Sequence, residues 1–313
     1  MNSPDIAPDD IAAAHRLIAP HVRRTPVIEI AGSELGVAGR LALKLELLQH
    51  TGSFKPRGAF VSLLTGEVPE AGVVAASGGN HGAAVAYAAA RLGIRVRIFV
   101  PEIAAPAKIA HIRAHGGNLT VTGANYAEAL AASKAWTAQS GARPIHAYDQ
   151  RETLLGQGTV AAEFDQQVPG TDTVLVAVGG GGLIGGMAAW YAGRVRLVGV
   201  EPRNCPSLHA ARAAGRPVDV EVSGIAADSL GARRVGSLMY PIAERHVADV
   251  VLVDDEAITE ARRLLWDRLR IAAEPGGAAA LAALVSGAYR PATDERVGIV
   301  ICGGNADAPA VTP

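Results

Sequence analysis

Short runs of apolar, mostly β-branched residues alternate along the chain with longer Ala-rich segments of helical spacing. The apolar runs predict strands that are mostly buried on both faces, because they lack the alternation of a half-exposed strand. The predicted strands are Leu41–Leu45, Gly72–Ala75, Val96–Val100, Asn118–Thr122, Thr173–Val178, Val195–Val200, Asp249–Val253 and Arg296–Cys302. The predicted helices include His81–Leu92, Ala104–Ala114, Tyr126–Ala138, Gly182–Ala192 and Asp255–Arg270.

This alternation of strands and helices predicts an α/β fold with parallel sheets flanked by helices. The strands suffice for one sheet or for two. No low-complexity linker divides the chain into consecutive halves. We therefore expect any second domain to be inserted into the first.

Composition narrows the classes of function. The 313 residues are 49% hydrophobic and only 4% aromatic, with 36 glycines, which indicates a folded core of small aliphatic side chains. A formal net charge of -1 argues against a nucleic-acid partner. The two cysteines, Cys205 and Cys302, exclude a disulfide scaffold and favour a cytoplasmic location. Residues 1–10 resemble no targeting peptide, and no apolar stretch is long enough for a membrane span.

A glycine-rich turn follows the predicted strand Thr173–Val178 and opens a helix. Its backbone N–H groups would face outward beside the positive end of that helix, which suits a phosphate group. The alternative is an ordinary tight turn, but consecutive glycines are costly in unfolded-chain entropy. The residues of the predicted phosphate site are Gly179, Gly180, Gly181, Gly182 and Leu183.

The same turn permits a dinucleotide interpretation. Gly180, Gly182 and Gly185 satisfy the G-x-G-x-x-G pattern, and Glu201 follows about 20 residues later at the end of a predicted strand. An acid at that point would bind a ribose. This region alone therefore supports an NAD-dependent oxidoreductase as an alternative.

A second turn, Ser77–Gly82, follows the predicted strand Gly72–Ala75. Ser77 and Asn80 are candidate helix caps, and the backbone N–H groups could hold a carboxylate. The alternative is a capped turn with a surface histidine at His81. The concentration of Gly, Ser, Asn and His exceeds what capping requires, which favours a binding role.

Lys55 directly precedes Pro56, so it lies at the start of a predicted helix. A lysine beside the positive end of a helix is electrostatically misplaced for stability. The same placement favours its neutral amine, which a Schiff-base nucleophile needs. An ordinary exposed lysine is the alternative. Two further turns, Glu274–Ala278 and Cys302–Asn305, lie at a predicted helix start and a strand end, where ligands bind in open parallel sheets.

Together these segments resemble the marker motifs of fold type II pyridoxal-phosphate enzymes, and most closely the threonine/serine dehydratases and their serine racemase-like relatives. The motifs are Ser53–Ala59, Ser77–Gly82, Gly179–Leu183, Glu274–Ala278 and Cys302–Asn305. They occur in the family's order over nearly the whole chain. The G-N-H sequence at Asn80–His81 separates the chain from cysteine synthases, which have G-N-T.

The resemblance implies two open, twisted parallel-sheet domains flanked by helices, as in the tryptophan synthase β subunit, and commonly a homodimer. Residues 1–68 and 149–313 would form a large cofactor-binding domain, and residues 69–148 a small, mobile one. Lys55 would be catalytic and hold pyridoxal 5'-phosphate. The implied cofactor-binding residues are Phe54, Lys55, Asn80, Gly179, Gly180, Gly181, Gly182, Leu183, Glu274 and Cys302. The implied substrate-binding residues are Ser77, Gly78, Gly79, Asn80 and His81, and Tyr126 has a family position near the substrate.

The implied activity is β-elimination of L-threonine or L-serine to 2-oxobutanoate or pyruvate plus ammonia. A racemase of serine or another amino acid and a 3-hydroxyaspartate-type dehydratase are the alternatives within the family. Gly78 stands where racemases have the serine that acts on the opposite face. Ser207 stands where their metal site has an acid, so we expect no metal at Glu201. The chain ends soon after Asn305, and we expect no regulatory domain.

Overall fold

The structure, a computed structural model, describes residues 6–306. Residues 1–5, for which we predicted no targeting peptide, and residues 307–313 lie outside the described residues, although both were assigned to the large domain. Within the described part, ten strands form two sheets. The larger sheet has the order β1-β2-β10-β7-β8-β9, and these strands are Val27–Ala31 (β1), Arg40–Lys44 (β2), Arg296–Val300 (β10), Thr173–Ala177 (β7), Arg196–Pro202 (β8) and Val247–Val253 (β9).

The smaller sheet is parallel throughout and has the order β5-β4-β3-β6. Its strands are Val73–Ala76 (β3), Val96–Val100 (β4), Asn118–Val121 (β5) and Arg143–Pro144 (β6). All four lie inside the predicted small domain, residues 69–148. The boundaries of that domain and its mobility stay predictions.

Helices cover both sheets. The helices of the chain are Pro8–Ile18 (α1), Lys55–Thr65 (α2), Asn80–Leu92 (α3), Pro106–Ala114 (α4), Tyr126–Ser140 (α5), Arg151–Gln167 (α6), Gly182–Tyr191 (α7), Ser207–Ala214 (α8), Ala227–Leu230 (α9), Tyr240–His246 (α10), Asp255–Leu269 (α11) and Pro275–Val285 (α12). Short 3-10 helices occupy Gly32–Leu35, Glu46–Leu48 and His50–Gly52. No helix of residues 6–306 is long and apolar enough to cross a membrane.

The eight predicted strands are confirmed, with ends that differ by at most two residues. β7 is buried at every position, as its unbroken apolar sequence predicts. β5 is an exception to the predicted burial on both faces, because it lies at the sheet edge and none of its residues is fully buried. β1 was not predicted, and it pairs antiparallel with β2 at the edge of an otherwise parallel sheet.

The core helix α6 was also missed. In α6, every residue from Thr153 to Phe164 is buried, so the helix has no polar face to reveal its period. Glycines let α6 approach its neighbours closely: a Cβ on Gly156 would lie 2.4 Å from the Arg57 carbonyl oxygen of α2. On Gly158 it would lie 2.8 Å from the Gly186 oxygen of α7. This packing fixes α2 and α7, the two helices that begin at the predicted site.

Candidate active site

The predicted site residues lie where the two sheets face each other. β7 and β10 are neighbours in the larger sheet, so the turns that follow them, Gly179–Gly182 and Cys302–Asn305, meet at their carboxyl ends. Ser77–Gly82 follows β3 of the smaller sheet. The structure thus gathers the motifs around one cleft.

Lys55 is the first residue of α2 and is held on both sides of its side chain. The backbone N–H of Phe54 donates to the Cys302 carbonyl over 3.2 Å, which joins the start of α2 to the end of β10. Lys55 Nζ donates to the Ala147 carbonyl at 2.9 Å and lies 5.0 Å from the Phe54 ring centroid. Burial lowers the pKa of Lys55 to about 8, against smaller opposing effects of Cys302 and Glu274. At pH 7 about a tenth of this amine is then neutral, against less than about one in a thousand at the unperturbed pKa, which makes it a better nucleophile.

A buried ionic cluster, missed by sequence reasoning, lies beneath α2. Arg57 donates to Glu46 from Nε and Nη2, each over 2.8 Å, and to Glu163 from two nitrogens at 3.2 Å. Lys44 Nζ, at the end of β2, lies 2.5 Å from Glu163 Oε1. All four side chains are at most 2% exposed. Because two cations face two anions, the cluster is neutral overall, and it ties the start of α2 to β2 and α6.

Burial lowers the pKa of Lys44 against the effect of both carboxylates, whereas the ion pairs set the direction of the pKa shifts of Glu46 and Arg57. The pKa of Glu46 is lowered, since Arg57 and Lys44 outweigh the opposing effect of burial. The pKa of Arg57 is raised, because both carboxylates outweigh burial. The one sequence signal of this cluster is Lys44, a charged residue inside a predicted buried strand.

At the Ser77–Gly82 turn, the prediction that Asn80 caps a helix is wrong. Asn80 is the first residue of α3, and the capping position is Gly79, which has no side chain to cap with. Ser77 Oγ accepts the Gly79 N–H at 3.2 Å, which shapes the turn. The side chain of Asn80 is thereby left to face Glu274 and Asn305.

His81 does not present its ring to the cleft. Its Nε2 lies 3.0 Å from the Ile145 carbonyl oxygen, which can only accept, so this nitrogen carries the proton. The side chain is buried, and burial, with a smaller effect from Lys55, lowers the pKa of His81 to about 3. Any contact of His81 with a substrate carboxylate therefore goes through its backbone.

Asn80, Glu274 and Asn305 form a hydrogen-bonded row between the two sheets. Asn80 Nδ2 donates to Glu274 Oε1 at 2.6 Å, and its Oδ1 accepts from Asn305 Nδ2 at 2.7 Å. Burial raises the pKa of Glu274, with Asn80 opposing. A Cβ on Gly303 would lie 2.0 Å from Glu274 Oε1, so only glycine fits there. One N–H of the Asn80 amide remains for a ligand.

Cys302 is a buried thiol, 5% exposed, whose Sγ donates to the Gly276 carbonyl at 3.4 Å. Burial, together with the nearby Glu274, raises the pKa of Cys302 to about 12. The group is therefore a neutral S–H at physiological pH. A neutral donor and weak acceptor can contact a ring nitrogen without supplying it with a charge.

The glycine turn after β7 has no room for side chains. A Cβ on Gly180 would lie 2.3 Å from Cδ1 of Tyr148, and one on Gly181 would lie 2.4 Å from the terminal carbon of Met239. Gly181 also has a φ of 86°, in the left-handed region, and it caps α7. The first N–H groups of α7 have no partner within the helix, which leaves donors for an anion.

The carboxylate of Glu201, in β8, is bound by the start of the next helix, α8. Its carboxylate oxygens accept from the N–H groups of Leu208 and His209, at 2.7 and 2.8 Å, and from Ser207 Oγ at 3.1 Å. Burial raises its pKa to about 7, with these hydrogen bonds opposing. The same donors leave no free carboxylate face for a ribose, which weakens the dinucleotide alternative. Within residues 6–306, no three His, Cys, Asp or Glu side chains are grouped as metal ligands.

Sequence reasoning also missed the segment His146–Asp149, which follows β6 and borders the cleft. Its Ala147 carbonyl holds Lys55, and its Tyr148 ring lies against Gly180. His146 Nδ1 accepts the N–H groups of Tyr148 and Asp149 at 3.3 and 2.8 Å. No glycine-rich motif marks the segment His146–Asp149 in the sequence. Tyr126, for which the resemblance implies a position near the substrate, lies at the start of α5 and is 52% exposed.

Comparisons with known proteins agree with this arrangement. The chain is 36% identical to a phenylserine dehydratase of Ralstonia pickettii over 95% of its length and 93% of that protein. It is also 36% identical to an L-threonine ammonia-lyase of Geobacter sulfurreducens, over 93% of this chain and 73% of that protein. The solved structure of maize serine racemase superposes with a TM-score of 0.91 at 36% identity, covering 99% of this chain and 96% of the other.

The family model described as "Pyridoxal-phosphate dependent enzyme" matches residues 18–303. That match contains four of the five motifs whole and reaches into the fifth, Cys302–Asn305. Its members use pyridoxal 5'-phosphate, and the neighbouring structures have the fold type II architecture described above. The chain therefore belongs to the pyridoxal-phosphate-dependent enzymes of fold type II, among relatives that include serine racemases and threonine dehydratases.

Proposed function

We propose that this enzyme catalyses the β-elimination of L-threonine or L-serine, releasing 2-oxobutanoate or pyruvate and ammonia. The observation that carries the proposal is the contrast between Lys55 and Gly78, which stands at the position where the resemblance implies a serine on the opposite face in racemases. Lys55 offers an amine whose pKa is lowered to about 8, whereas Gly78, in the turn after β3, offers no side chain. Elimination needs one base, and racemisation needs a proton donor on the opposite face as well.

The residues present fit pyridoxal phosphate. Lys55 would hold it covalently, the N–H groups of Gly179–Leu183 would receive its phosphate, and Asn80 would bond its ring hydroxyl. Cys302 would face the ring nitrogen, with Phe54 beside the ring. The start of α7 supports this assignment, because no side chain caps it and its first N–H groups are donors for a phosphate. When bound, the cofactor supplies the electron sink for a carbanion at the substrate Cα.

Backbone and side-chain groups of the enzyme have the remaining roles in the reaction. The turn Ser77–His81 would orient the substrate carboxylate through the N–H of Gly78 and those at the start of α3, because the N–H of Ser77 donates to the Phe99 carbonyl and that of Gly79 to Ser77 Oγ. The freed Lys55 amine takes the Cα proton, and its lowered pKa keeps it unprotonated often enough to act as a base. The neutral thiol of Cys302 would leave the ring nitrogen uncharged, so the ring would withdraw less charge from the substrate Cα. The charge that stays at Cα favours rapid loss of the β-hydroxyl.

A serine racemase is the second candidate, because racemases are as similar to this chain as the dehydratases are. The surroundings of Gly78 argue against it. A Cβ there would meet Ala104 Cβ at 3.1 Å and Val100 Cγ1 at 3.2 Å, both apolar carbon atoms. A 3-hydroxyaspartate-type dehydratase would need a cation for the second carboxylate, and the turn Ser77–Gly82 carries no lysine or arginine.

The test is a panel assay of 2-oxo acid release from L-threonine, L-serine, 3-hydroxyaspartate and phenylserine. We expect the first two to be turned over and borohydride to fix the cofactor on Lys55. Lys55→Ala should be colourless and inactive. Full deaminase activity in that variant, or recovery of inverted, deuterated serine in D₂O faster than 2-oxo acid release, would overturn the proposal.

A homodimer and a cytoplasmic location are part of the same proposal. The first is supported by the resemblance and the second by the use of unpaired, buried cysteines.

A further inference from the structure

Thr51 has a strained backbone just before the cofactor lysine. Its φ is 61° and its ψ is 14°, in the left-handed region that β-branched residues avoid. It belongs to the 3-10 helix His50–Gly52 and is 6% exposed, and its Oγ1 is buried without a hydrogen-bond partner. Such a conformation persists only where surrounding contacts hold it.

Two side chains hold the carbonyl of Thr51. Asn305 Nδ2 donates to it at 2.7 Å, and His111 Nε2 lies 3.3 Å from it. A carbonyl oxygen can only accept, so the proton of His111 is on Nε2. His111 lies on α4, in the layer that covers the smaller sheet, whereas Thr51 and Asn305 flank strands of the larger one. This contact therefore crosses between the two sheets.

The carbonyl of Thr51 leads directly into the site. The Asn305 amide that bonds it also donates to Asn80 Oδ1 at 2.7 Å, and Asn80 Nδ2 donates to Glu274. The backbone at Gly52 packs closely against this row, because a Cβ there would lie 2.3 Å from Asn305 Oδ1. A displacement of Thr51 would therefore move the Asn305 amide and the orientation of Asn80.

The imidazole of His111 is itself fixed by a neighbour. His115, one turn later on α4, packs edge-on against it with ring centroids 4.6 Å apart at an interplanar angle of 85°. His115 in turn meets the ring of Tyr87 edge-on at 5.7 Å. His115 contacts the same ring system but makes no hydrogen bond to Thr51, which makes it a matched control.

We propose that His111 is a positioning residue that fixes Asn80 in the cofactor site, acting through the Thr51 carbonyl and the Asn305 amide. The inference rests on the proposed placement of the cofactor beside Asn80. It does not depend on which amino acid is the substrate. His111 touches no reacting group, so its effect lies in cofactor binding and in the environment of the bound ring.

The test compares His111→Ala, His111→Gln and His115→Phe. For each, apoenzyme is titrated with pyridoxal phosphate, and the absorbance and fluorescence maxima of the bound cofactor are recorded. Loss of one hydrogen bond should weaken cofactor binding about 3- to 10-fold in His111→Ala and shift the maxima. Glutamine retains a donor on a side chain of similar reach, so His111→Gln should stay within about 2-fold of the parent. His115→Phe keeps a ring at that place and should match the parent.

Equal affinity and unchanged spectra in His111→Ala would overturn the inference, as would an equal loss in His111→Ala and His111→Gln. If His111→Ala does not fold, His111→Phe replaces it, because it keeps an aromatic ring without a donor. A difference between the Phe and Gln variants supports the inference, and equality overturns it. Failure of the proposed function would show separately, as a parent enzyme that binds pyridoxal phosphate but releases no 2-oxo acid.

Discussion

At the scale of single residues, burial in the site favours the neutral forms of its ionisable groups. Burial shifts Lys55, Cys302 and Glu274 toward their neutral forms, and it keeps His81 neutral. Since the cofactor brings its own negative charge to the phosphate, a near-neutral cleft leaves the backbone donors to decide how a zwitterionic substrate is oriented. The ionisation of Lys55 and the missing side chain of Gly78 can each be tested by measurement.

We expect cofactor uptake by the apoenzyme to depend on the ionisation of Lys55. Only the neutral amine attacks the aldehyde, and the pKa of Lys55 is lowered to about 8 from 10.5. Below this pKa the neutral fraction falls about tenfold per pH unit, so the uptake rate should rise up to about pH 8 and then level off. Stopped-flow absorbance measures it. The same cofactor with N-α-acetyl-lysine, whose amine is unperturbed, should continue to gain rate well above that pH; a matching profile for the apoenzyme would contradict the shift.

Gly78→Ser should introduce a proton donor on the face opposite Lys55. The new Cβ would sit about as close as packing allows, 3.1 Å from Ala104 Cβ, so a small adjustment of α3 and its turn is needed. We expect deuterium incorporation with inversion in recovered serine to rise by about 10-fold or more, the lower range of general acid–base effects. Gly78→Ala adds the same Cβ without the hydroxyl. Equal exchange in the two variants would show that the hydroxyl has no such role.

At the scale of elements, α2 connects the catalytic lysine to the core. Its first residue is Lys55, its third is Arg57, and Arg57 is clamped by Glu46 and Glu163 from two other segments. The glycines of α6 bring that helix against α2 at backbone distance. The position of the amine is therefore set by buried polar contacts and by close helix packing together.

Arg57→Met should strongly destabilise the fold, because it leaves Glu46 and Glu163 buried with Lys44 as the remaining cation. Breaking a buried ion pair from one side costs about 3–5 kcal/mol. Denaturant unfolding of the apoenzyme measures it. The double variant Arg57→Met with Glu46→Gln restores the charge balance and should lose less stability than the single one. Arg263→Met, which removes exposed pairs with Glu260 and Asp267, should unfold close to the parent. A similar loss in both single variants would contradict a special role of the buried cluster.

The elements also show what the sequence could and could not predict. The strands from β2 to β10, except the two-residue β6, and the glycine turns were predictable, because local apolar runs and glycine clusters carry that information. Glu46, Arg57 and Glu163 were not, since their pairing joins residues far apart in the chain. The row from His111 to Asn80 was hidden for the same reason. α6 escaped because a helix buried all round shows no polar period.

At the scale of the whole molecule, the cofactor site is assembled from two sheets. Asn80 and the Ser77–Gly79 turn come from the smaller sheet, whereas Glu274, Cys302 and the glycine turn come from the larger. Lys108 of α4 and Asp228 of α9 form an ion pair across the same division. The cofactor site and this ion pair both join the two sheets. A ligand bound between the sheets should therefore stabilise the two sheets together.

We therefore expect pyridoxal phosphate to raise the thermal stability of the protein. A ligand that binds only the folded state at 100 times its dissociation constant adds about 2.7 kcal/mol. For a chain of this size, that should raise Tm by several degrees, at roughly 2–4 °C per kcal/mol. Differential scanning calorimetry of the apoenzyme and holoenzyme at one scan rate measures the difference. Lys55→Ala keeps the phosphate turn but loses the covalent link, so it should show a smaller rise at the same cofactor concentration. Equal Tm values with and without cofactor in the parent would mean that the two sheets do not close on a common ligand.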